Sequence, residues 1–397
     1  MVRFFFSLWA VPATAAICLV FAGCGDDGGA PAAESAPERA QWAQTIAENV
    51  VVPTYEQFAT DASALQGTVD AWAQNPTSES LLLAQNDWQT AMNTWQSAEL
   101  MQFGPAGAMS LVAGGEDLRD LIYSWPLTNP CRIDQELERE GYAADFDNML
   151  VAGRGLDALE YLLFVEGTDN ACAQTASINR DGTWAALDNA TITARRTAYA
   201  QAAATAVMSD ATDLVRWWSS DGQAFIDELS TAGQGSDTYG SASEAFNALT
   251  DAFFYLEKET KDMKLAIPLG IINCDETACP DAVEHPYAGR SLDSIRENVL
   301  AMQLLYQGGP TTAAEGFDDW LTAAGASDLA ATMHTQLSAT LTALDAVDGP
   351  LHIAIVDDRD DALAAHEALR TFITTLKTQF ITTLDLEIPN RAEGDND

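Results

Sequence analysis

The chain has 397 residues and a formal net charge of −40, with 59 acidic against 19 basic residues. Such an acidic surface repels the phosphates of nucleic acids and anionic lipid headgroups, so we exclude nucleic acid as a partner. A hydrophobic content of 47% allows a sizeable core and excludes wholesale disorder. The acidity alone is typical of a solvated surface suited to a salty medium. It attracts cations without defining a site.

Residues 1–23 have the pattern of a bacterial lipoprotein signal peptide. One basic residue, Arg3, precedes an apolar run that ends in small residues before Cys24. The ending "FAGC" resembles a lipobox, at which the cysteine becomes the lipidated N-terminus; an uncleaved anchor helix is the alternative. We expect an envelope lipoprotein that is attached to the membrane through Cys24 and faces the periplasm. Gly25 favours the outer over the inner membrane.

Most of the remaining chain has the periodicity of helices. Apolar residues recur at intervals of three and four, and strand-like alternation is scarce. The predicted helical segments are 38–74, 78–103, 183–219, 241–264, 289–307, 326–347 and 358–386. The sequence therefore predicts an all-α protein of bundled helices.

The best boundary between two halves is the Gly/Ser-rich tract at 231–243. The predicted organisation is a flexible tether at 24–38, an N-terminal bundle half at 39–232, a C-terminal bundle half at 240–387 and an acidic tail at 388–397.

Four cysteines remain once Cys18 leaves with the signal peptide and Cys24 is lipidated. In an exported protein they indicate two disulfides. Proximity in sequence favours two pairs, Cys131 with Cys172 and Cys274 with Cys279, although three connectivities are formally possible.

The segment "GLDALEYLLF" at 155–164 carries two acids, Asp157 and Glu160, among apolar residues. Residues three apart on a helix are about 60° apart in projection, so both acids share a face. A helix that is apolar nearly all round is usually buried, and buried carboxylates need cations, hydrogen-bond donors or a metal. Oxygen ligands suit hard cations such as Ca²⁺, Mg²⁺ or ferric iron. The alternative is a satisfied ion network with a buried arginine, for which the candidates are Arg119, Arg132 and Arg154.

This segment also resembles the signature Gly-x-His-x-x-Glu of the imelysin family, which is also called the M75 peptidase or iron-regulated protein A family. Four more pieces resemble the family in the same order along the chain. They are "WQSAELMQFGPA" at 95–106, "LIYSWPL" at 121–127, "LEKETKDMKLAIPLG" at 256–270 and "HPYAGRSLDSIRENVLAMQLLYQG" at 285–308. The resemblance covers roughly residues 40–385.

The resemblance implies an exported, all-helical protein of two related bundles that is linked to iron. It places the motif near the junction of the halves, at a site proposed to bind metal, whereas peptidase activity is doubtful for most of the family. Here Asp157 stands at the histidine position. An aspartate cannot supply an imidazole nitrogen, so the change either shifts the site toward all-oxygen ligation or marks a lapsed site.

We predict no catalytic residues. None of the four histidines lies in a His-Glu-x-x-His pattern. The predicted metal ligands are Asp157, Glu160, Glu99 and Glu259, and His285 is the one histidine considered as a ligand. The expected ligand is iron or another divalent or trivalent cation.

The expected function is non-enzymatic cation binding in metal uptake or homeostasis, with envelope iron-uptake proteins as partners. The alternatives are an M75-type metallopeptidase and a scaffold lipoprotein with a lapsed site. Convergence of the four acids without a buried Lys or Arg favours a metal, whereas convergence around a buried arginine favours an ion network.

Overall fold

The computed structural model describes residues 36–311 and 314–389, and these residues contain no β-strand. The all-α prediction is confirmed. The signal peptide, Cys24, the predicted tether up to residue 35 and the tail from residue 390 lie outside the described residues. The described residues belong to one compact unit, and the predicted division into two halves stays a prediction.

The first part of the chain packs its long helices side by side. The helices are α1 (Ala36–Ile46), α2 (Val52–Gln74), α3 (Ser78–Glu99), α4 (Leu118–Ile122), α5 (Pro130–Arg139), α6 (Gly141–Ala144), α7 (Gly155–Phe164), α8 (Ser177–Arg180) and α9 (Asn189–Trp218). A π-helical turn, Ala47–Val51, joins α1 to α2. Helix α2 packs against α3 and α9, and α7 packs against both α9 and α3.

Within residues 219–311 and 314–389, the second part of the chain adds eight helices. They are α10 (Phe225–Ser230), α11 (Ala242–Asp251), α12 (Ser291–Tyr306), α13 (Phe317–Ala323), α14 (Ser327–Ala346), α15 (Leu351–Asp357), α16 (Asp360–Thr375) and α17 (Ile381–Thr383). Two π-helical segments, Leu256–Ala266 and Leu376–Phe380, interrupt the α-helical pattern. Helices α12 and α16 both contact Leu256–Ala266, and α12 also packs on α3. These contacts bring the two parts of the chain together around a common interior.

Side-chain caps fix several helix starts at the positions where polar residues precede the apolar runs. The side chains of Thr77, Asp188 and Ser241 each accept a hydrogen bond from a backbone N–H in the first turn of α3, α9 and α11. Each cap satisfies a donor that the helix itself leaves unpaired.

Both predicted disulfides are confirmed. Cys131 is bonded to Cys172, and Cys274 is bonded to Cys279. The first ties the start of α5 to the loop after α7, while the second closes a five-residue interval before α12.

Among the described residues, no single helix is both long and apolar enough to cross a membrane. Helices α14 and α15 reach that length and composition only as a pair, and they are bent by 78° relative to each other.

Candidate functional site

Helix α7 lies in the interior, and its residues from Gly155 to Leu163 are all buried. The glycine of the motif has a steric reason. Gly155 has φ = +84°, and a Cβ there would lie 2.7 Å from the carbonyl oxygen of Ile122. Any other residue would be strained and would also push α7 away from α4. The motif glycine therefore sets how closely the acids of α7 approach the rest of the site.

Glu160 is held by the loop that precedes α12. Its Oε2 lies 2.9 Å from Nδ1 of His285, and its Oε1 accepts backbone N–H groups of Tyr287 (3.0 Å) and Ala288 (2.9 Å). Because a carboxylate only accepts, Nδ1 of His285 carries the proton in this pair. Position 157 is an aspartate, and the imidazole that contacts the motif glutamate is that of His285.

The other nitrogen of His285 faces a second carboxylate. Nε2 lies 3.8 Å from Oε2 of Glu284, and both side chains are fully buried. Neither of these two atoms has a hydrogen-bond partner among the described residues. Burial lowers the pKa of His285, but the carboxylates of Glu284 and Glu160 outweigh it, so the pKa is raised. Trp88 packs edge-on to the imidazole at 5.5 Å between ring centroids.

Lys264, in the π-helical segment, is completely buried and surrounded by oxygen atoms. Its Nζ lies 2.5 Å from Gln96 Oε1, 2.9 Å from Glu284 Oε1, 3.0 Å from Asn298 Oδ1 and 3.7 Å from Glu99 Oε2. The rings of Tyr255 and Trp125 also lie close, with centroids 5.3 and 5.6 Å from Nζ. We call the four oxygen atoms around Nζ, which belong to Gln96, Glu284, Asn298 and Glu99, the Lys264 cage.

Glu284 joins the Lys264 cage to the imidazole. Its Oε1 accepts hydrogen bonds from the Tyr123 hydroxyl (2.6 Å) and from Nε2 of Gln96 (2.9 Å), as well as from Lys264. Burial raises the pKa of Glu284, but Lys264 and then His285 lower it by more, so the net shift is downward. This carboxylate is therefore stabilised in its charged form although it is out of contact with water.

Glu99 has its own counterion. Arg119 donates to Oε1 of Glu99 from Nη2 at 2.8 Å and from Nε at 3.3 Å, a charge-assisted contact from one edge of the guanidinium. Oε2 of Glu99 points toward Lys264 and has no hydrogen-bond partner in the described part of the chain.

Asp157 is held by hydroxyl and backbone donors instead of a cation. Its Oδ2 accepts the backbone N–H and the hydroxyl of Ser124, each at 3.0 Å, and the hydroxyl of Thr128. Burial raises the pKa of Asp157 to about 7, against the lowering effect of Thr128 and Arg119. Asp157 therefore carries a proton for much of the time at neutral pH.

The structure brings three of the four predicted ligands to one place. These three are Glu99, Asp157 and Glu160. Together with four neighbouring residues they form what we call the central cluster, and the four neighbours are Arg119, Lys264, Glu284 and His285. Glu259 is half-buried on the same π-helical segment as Lys264. Burial raises the pKa of Tyr255, and the charge of Glu259 adds to this after those of Glu99 and Glu284. Glu99 and Glu284 are paired with Arg119 and Lys264, which is the arrangement of a neutralised ion network, whereas Asp157 and Glu160 contact neither cation.

Sequence reasoning missed Gln96, Asn298 and Tyr123, and it gave Lys264 no role. One signal was present. The chain contains four lysines, and three of them, Lys258, Lys261 and Lys264, fall within one short stretch. Arginine and the single remaining lysine, Lys377, supply the positive side-chain charges elsewhere, so this segment stands out in the sequence.

The residues available to a metal are few. In the ranges 36–311 and 314–389, no group of three or more His, Cys, Asp or Glu side chains is arranged to hold an ion. Two atoms that could ligate a metal face each other without a hydrogen-bond partner among the described residues, Nε2 of His285 and Oε2 of Glu284. Two surface grooves of about 640 and 630 Å³ run along α9, and no residue of the central cluster lines either of them.

Fold and site together define an all-helical protein built around a buried ion network at the meeting point of α3, α7, α12 and a π-helical segment. The chain belongs to the imelysin family, described as peptidase M75, whose family model matches residues 51–377.

A relative is iron-regulated protein A from the cyanobacterium Synechococcus elongatus, which is 24% identical over 270 residues. The match covers 68% of this chain and 64% of the relative, so this chain spans less than two thirds of the relative's length.

Two crystal structures share the fold. One is a protein from Parabacteroides distasonis assigned as an iron-regulated protein A precursor, with a TM-score of 0.68 and 18% identity, covering 90% of this chain and 97% of that one. The other is an imelysin-like protein from Psychrobacter arcticum, with a TM-score of 0.64 and 18% identity, covering 89% and 98%.

Proposed function

We propose that this chain is a non-enzymatic member of the imelysin family that binds iron or another cation between Nε2 of His285 and Oε2 of Glu284. What supports the proposal is that Nε2 of His285 and Oε2 of Glu284 face each other at 3.8 Å, both buried and both without a hydrogen-bond partner among the described residues. In the neutral imidazole with its proton on Nδ1, toward Glu160, Nε2 has a lone pair for a metal. Metal–ligand bonds of about 2.0–2.2 Å to nitrogen and oxygen could bridge such a gap. An imidazole with a carboxylate is a mixed donor set that suits iron, zinc or copper.

Glu160 has a positioning role in this proposal. Both of its oxygens are already engaged, one by His285 and the other by two backbone N–H groups. A carboxylate that accepts the N–H of a histidine fixes the tautomer and aims the other nitrogen at the metal. The motif glutamate would therefore hold the imidazole in place, while Glu99 would contribute negative charge nearby.

Burial supports a binding role over catalysis. His285 and Glu284 are 0% and 4% exposed, so a peptide substrate has no access to the donor atoms. The iron-related names of the relatives make iron the first cation to test. Attachment to the envelope through Cys24, and delivery of the cation to envelope uptake proteins, are parts of the same proposal.

A second candidate function is that of a scaffold lipoprotein in which the central cluster is purely structural. Arg119 and Lys264 favour it because they already neutralise Glu99 and Glu284. An ion network that is complete without a metal can fix the packing of α3 on α12 by itself.

The two functions differ in a metal titration of the purified protein. Ferrous, ferric, zinc, copper and calcium ions would be added in turn to the wild type and to the variants His285→Gln and Glu284→Gln. The matched control is His334→Gln, which removes the imidazole that lies 2.8 Å from Asp318 in a partly exposed pair.

One saturable equivalent that is lost in His285→Gln and Glu284→Gln but kept in His334→Gln would support the binding function. Weak and salt-sensitive binding that is the same in all four proteins would support the scaffold instead.

A further inference from the structure

Lys264 donates into a site that has the geometry of a receptor for a primary ammonium group. An ammonium has three N–H donors and no acceptor. Three oxygens lie within 3.0 Å of Nζ, on Gln96, Glu284 and Asn298. The fourth oxygen of the Lys264 cage, on Glu99, adds negative charge at 3.7 Å, and two aromatic rings add cation–π attraction.

We propose that the Lys264 cage is a cation site in its own right, occupied by a tethered ammonium, and that it binds a free primary alkylammonium when that side chain is removed. In the wild type the ammonium of Lys264 occupies the cage and so excludes a second cation from its oxygens. Lys264 is thus the residue that determines which cations the cluster accepts.

The oxygens of the Lys264 cage are held in place by bonds that do not involve Lys264. Asn298 Nδ2 donates to the backbone carbonyl of Gln96 at 2.8 Å and to its side-chain oxygen at 3.0 Å. Glu284 is anchored by Tyr123 and by Nε2 of Gln96. Because these contacts survive the loss of the lysine, the cage stays organised for an incoming cation.

The inference goes beyond the proposed function because the two sites use different atoms. The Lys264 cage uses Oε1 of Glu284, whereas the proposed metal position uses Oε2 and the imidazole of His285. Either site can therefore exist without the other.

Chemical rescue tests the inference. Lys264→Ala removes the side-chain atoms Cγ, Cδ, Cε and Nζ. Propylammonium has the same three carbons and one nitrogen, so it can replace them atom for atom. Thermal unfolding of the purified variant would be followed with increasing propylammonium chloride, with 1-propanol as the neutral analogue and sodium chloride at equal ionic strength. Two protein controls are the wild type and Lys377→Ala, which removes the partly exposed lysine paired with Glu257.

We expect Lys264→Ala to lose thermal stability and to recover at least half of the loss, saturably, with propylammonium only. No recovery, or equal recovery with sodium chloride or propanol, would overturn the inference. If the variant does not fold alone, the folded yield on refolding with each additive replaces the melting temperature as the readout. Lys264→Ala combined with Glu284→Gln, which removes one charge of the Lys264 cage, should then bind propylammonium at least tenfold more weakly.

Discussion

Glu160 and His285 are 125 residues apart in sequence, yet Oε2 of one lies 2.9 Å from Nδ1 of the other in the buried centre of the protein. The contact joins α7 to the loop before α12. It also turns the free nitrogen of His285 toward Glu284, which makes the motif glutamate a holder of the imidazole.

We predict that Glu160→Gln weakens cation binding by about 10–100-fold, the usual effect of losing the carboxylate behind a ligating histidine. The amide also places N–H groups opposite the N–H of His285, so the free energy of unfolding should fall by about 1–3 kcal/mol. Urea unfolding and metal titration measure the two effects. Glu367→Gln, an exposed glutamate paired with Arg370, is the control, and equal behaviour of the two variants would contradict the prediction.

A pH prediction follows from Asp157. Its pKa of about 7 in the folded chain exceeds the value of about 3.9 in an unfolded chain. Between those values the folded chain holds a proton that the unfolded chain has lost, so stability falls as pH rises from about 4 to about 7.

Asp157→Asn cannot titrate, so its unfolding free energy should change less steeply with pH in that window, by a few kcal/mol at most across it. The raised pKa of His285 adds a fall above about pH 6.5 that this variant keeps. Asp181→Asn is the control, because a hydrogen bond from Arg180 lowers the pKa of Asp181 and places its titration below the window. An unchanged slope in Asp157→Asn would contradict the assignment.

The pairing of Lys264 with Glu284 should dominate the energetics of the central cluster. Lys264→Met or Glu284→Gln alone leaves a buried charge without its main partner and should cost about 3–5 kcal/mol of stability. The double variant should lose less than the sum, by about 1–3 kcal/mol, because it leaves neither charge. The same cycle on the exposed pair Arg370 and Glu367 should give about 0.2–1 kcal/mol. Additive losses at Lys264 and Glu284 would show that they are not coupled.

Gly155→Ala tests the steric role of the motif glycine. A positive φ and a 2.7 Å approach of the new Cβ to the Ile122 carbonyl should together destabilise the protein by about 1–3 kcal/mol or more. Gly67→Ala is the control, since Gly67 lies on helix α2 with nothing within 4 Å of its Cβ position and should gain up to about 1 kcal/mol. Equal stability of Gly155→Ala and the wild type would contradict the stated reason for the glycine.

The two disulfides should differ in their contribution. Cys131–Cys172 spans 41 residues and Cys274–Cys279 spans 5. The chain-entropy relation gives about 4 kcal/mol for the longer loop and about 2 kcal/mol for the shorter one. Replacing each pair by serines and measuring urea unfolding under the same conditions compares them directly, and a larger loss for the short loop would contradict this order.

The fold could be read from the sequence because helix formation leaves a local signal. The predicted segment 78–103 contains α3, 326–347 contains α14, and the apolar run around Glu160 is the buried helix α7. The π-helical stretch around Lys264 was not anticipated, since its residue pattern is that of an ordinary helix and only the packed structure sets its hydrogen bonding.

The site could be predicted only in part. Glu160 and Glu99 were found because motifs mark them, and both lie in the central cluster. Their partners come from distant segments of the chain; Lys264, for example, lies close to Glu99 only in the folded protein. No local periodicity connects such residues. The expectation of all-oxygen ligation rested on position 157 and stays a prediction; the structure adds that the imidazole of His285 contacts Glu160.

The proposed cation lies between His285 and Glu284, where X-ray diffraction can locate it. Crystals would be soaked with ferrous or cobalt ions and measured at the metal absorption edge. We predict one strong anomalous peak within bonding distance of Nε2 of His285 and Oε2 of Glu284, absent in His285→Gln crystals. Peaks only at surface carboxylates, with the central cluster unchanged, would contradict the claim and leave the cluster as a structural ion network.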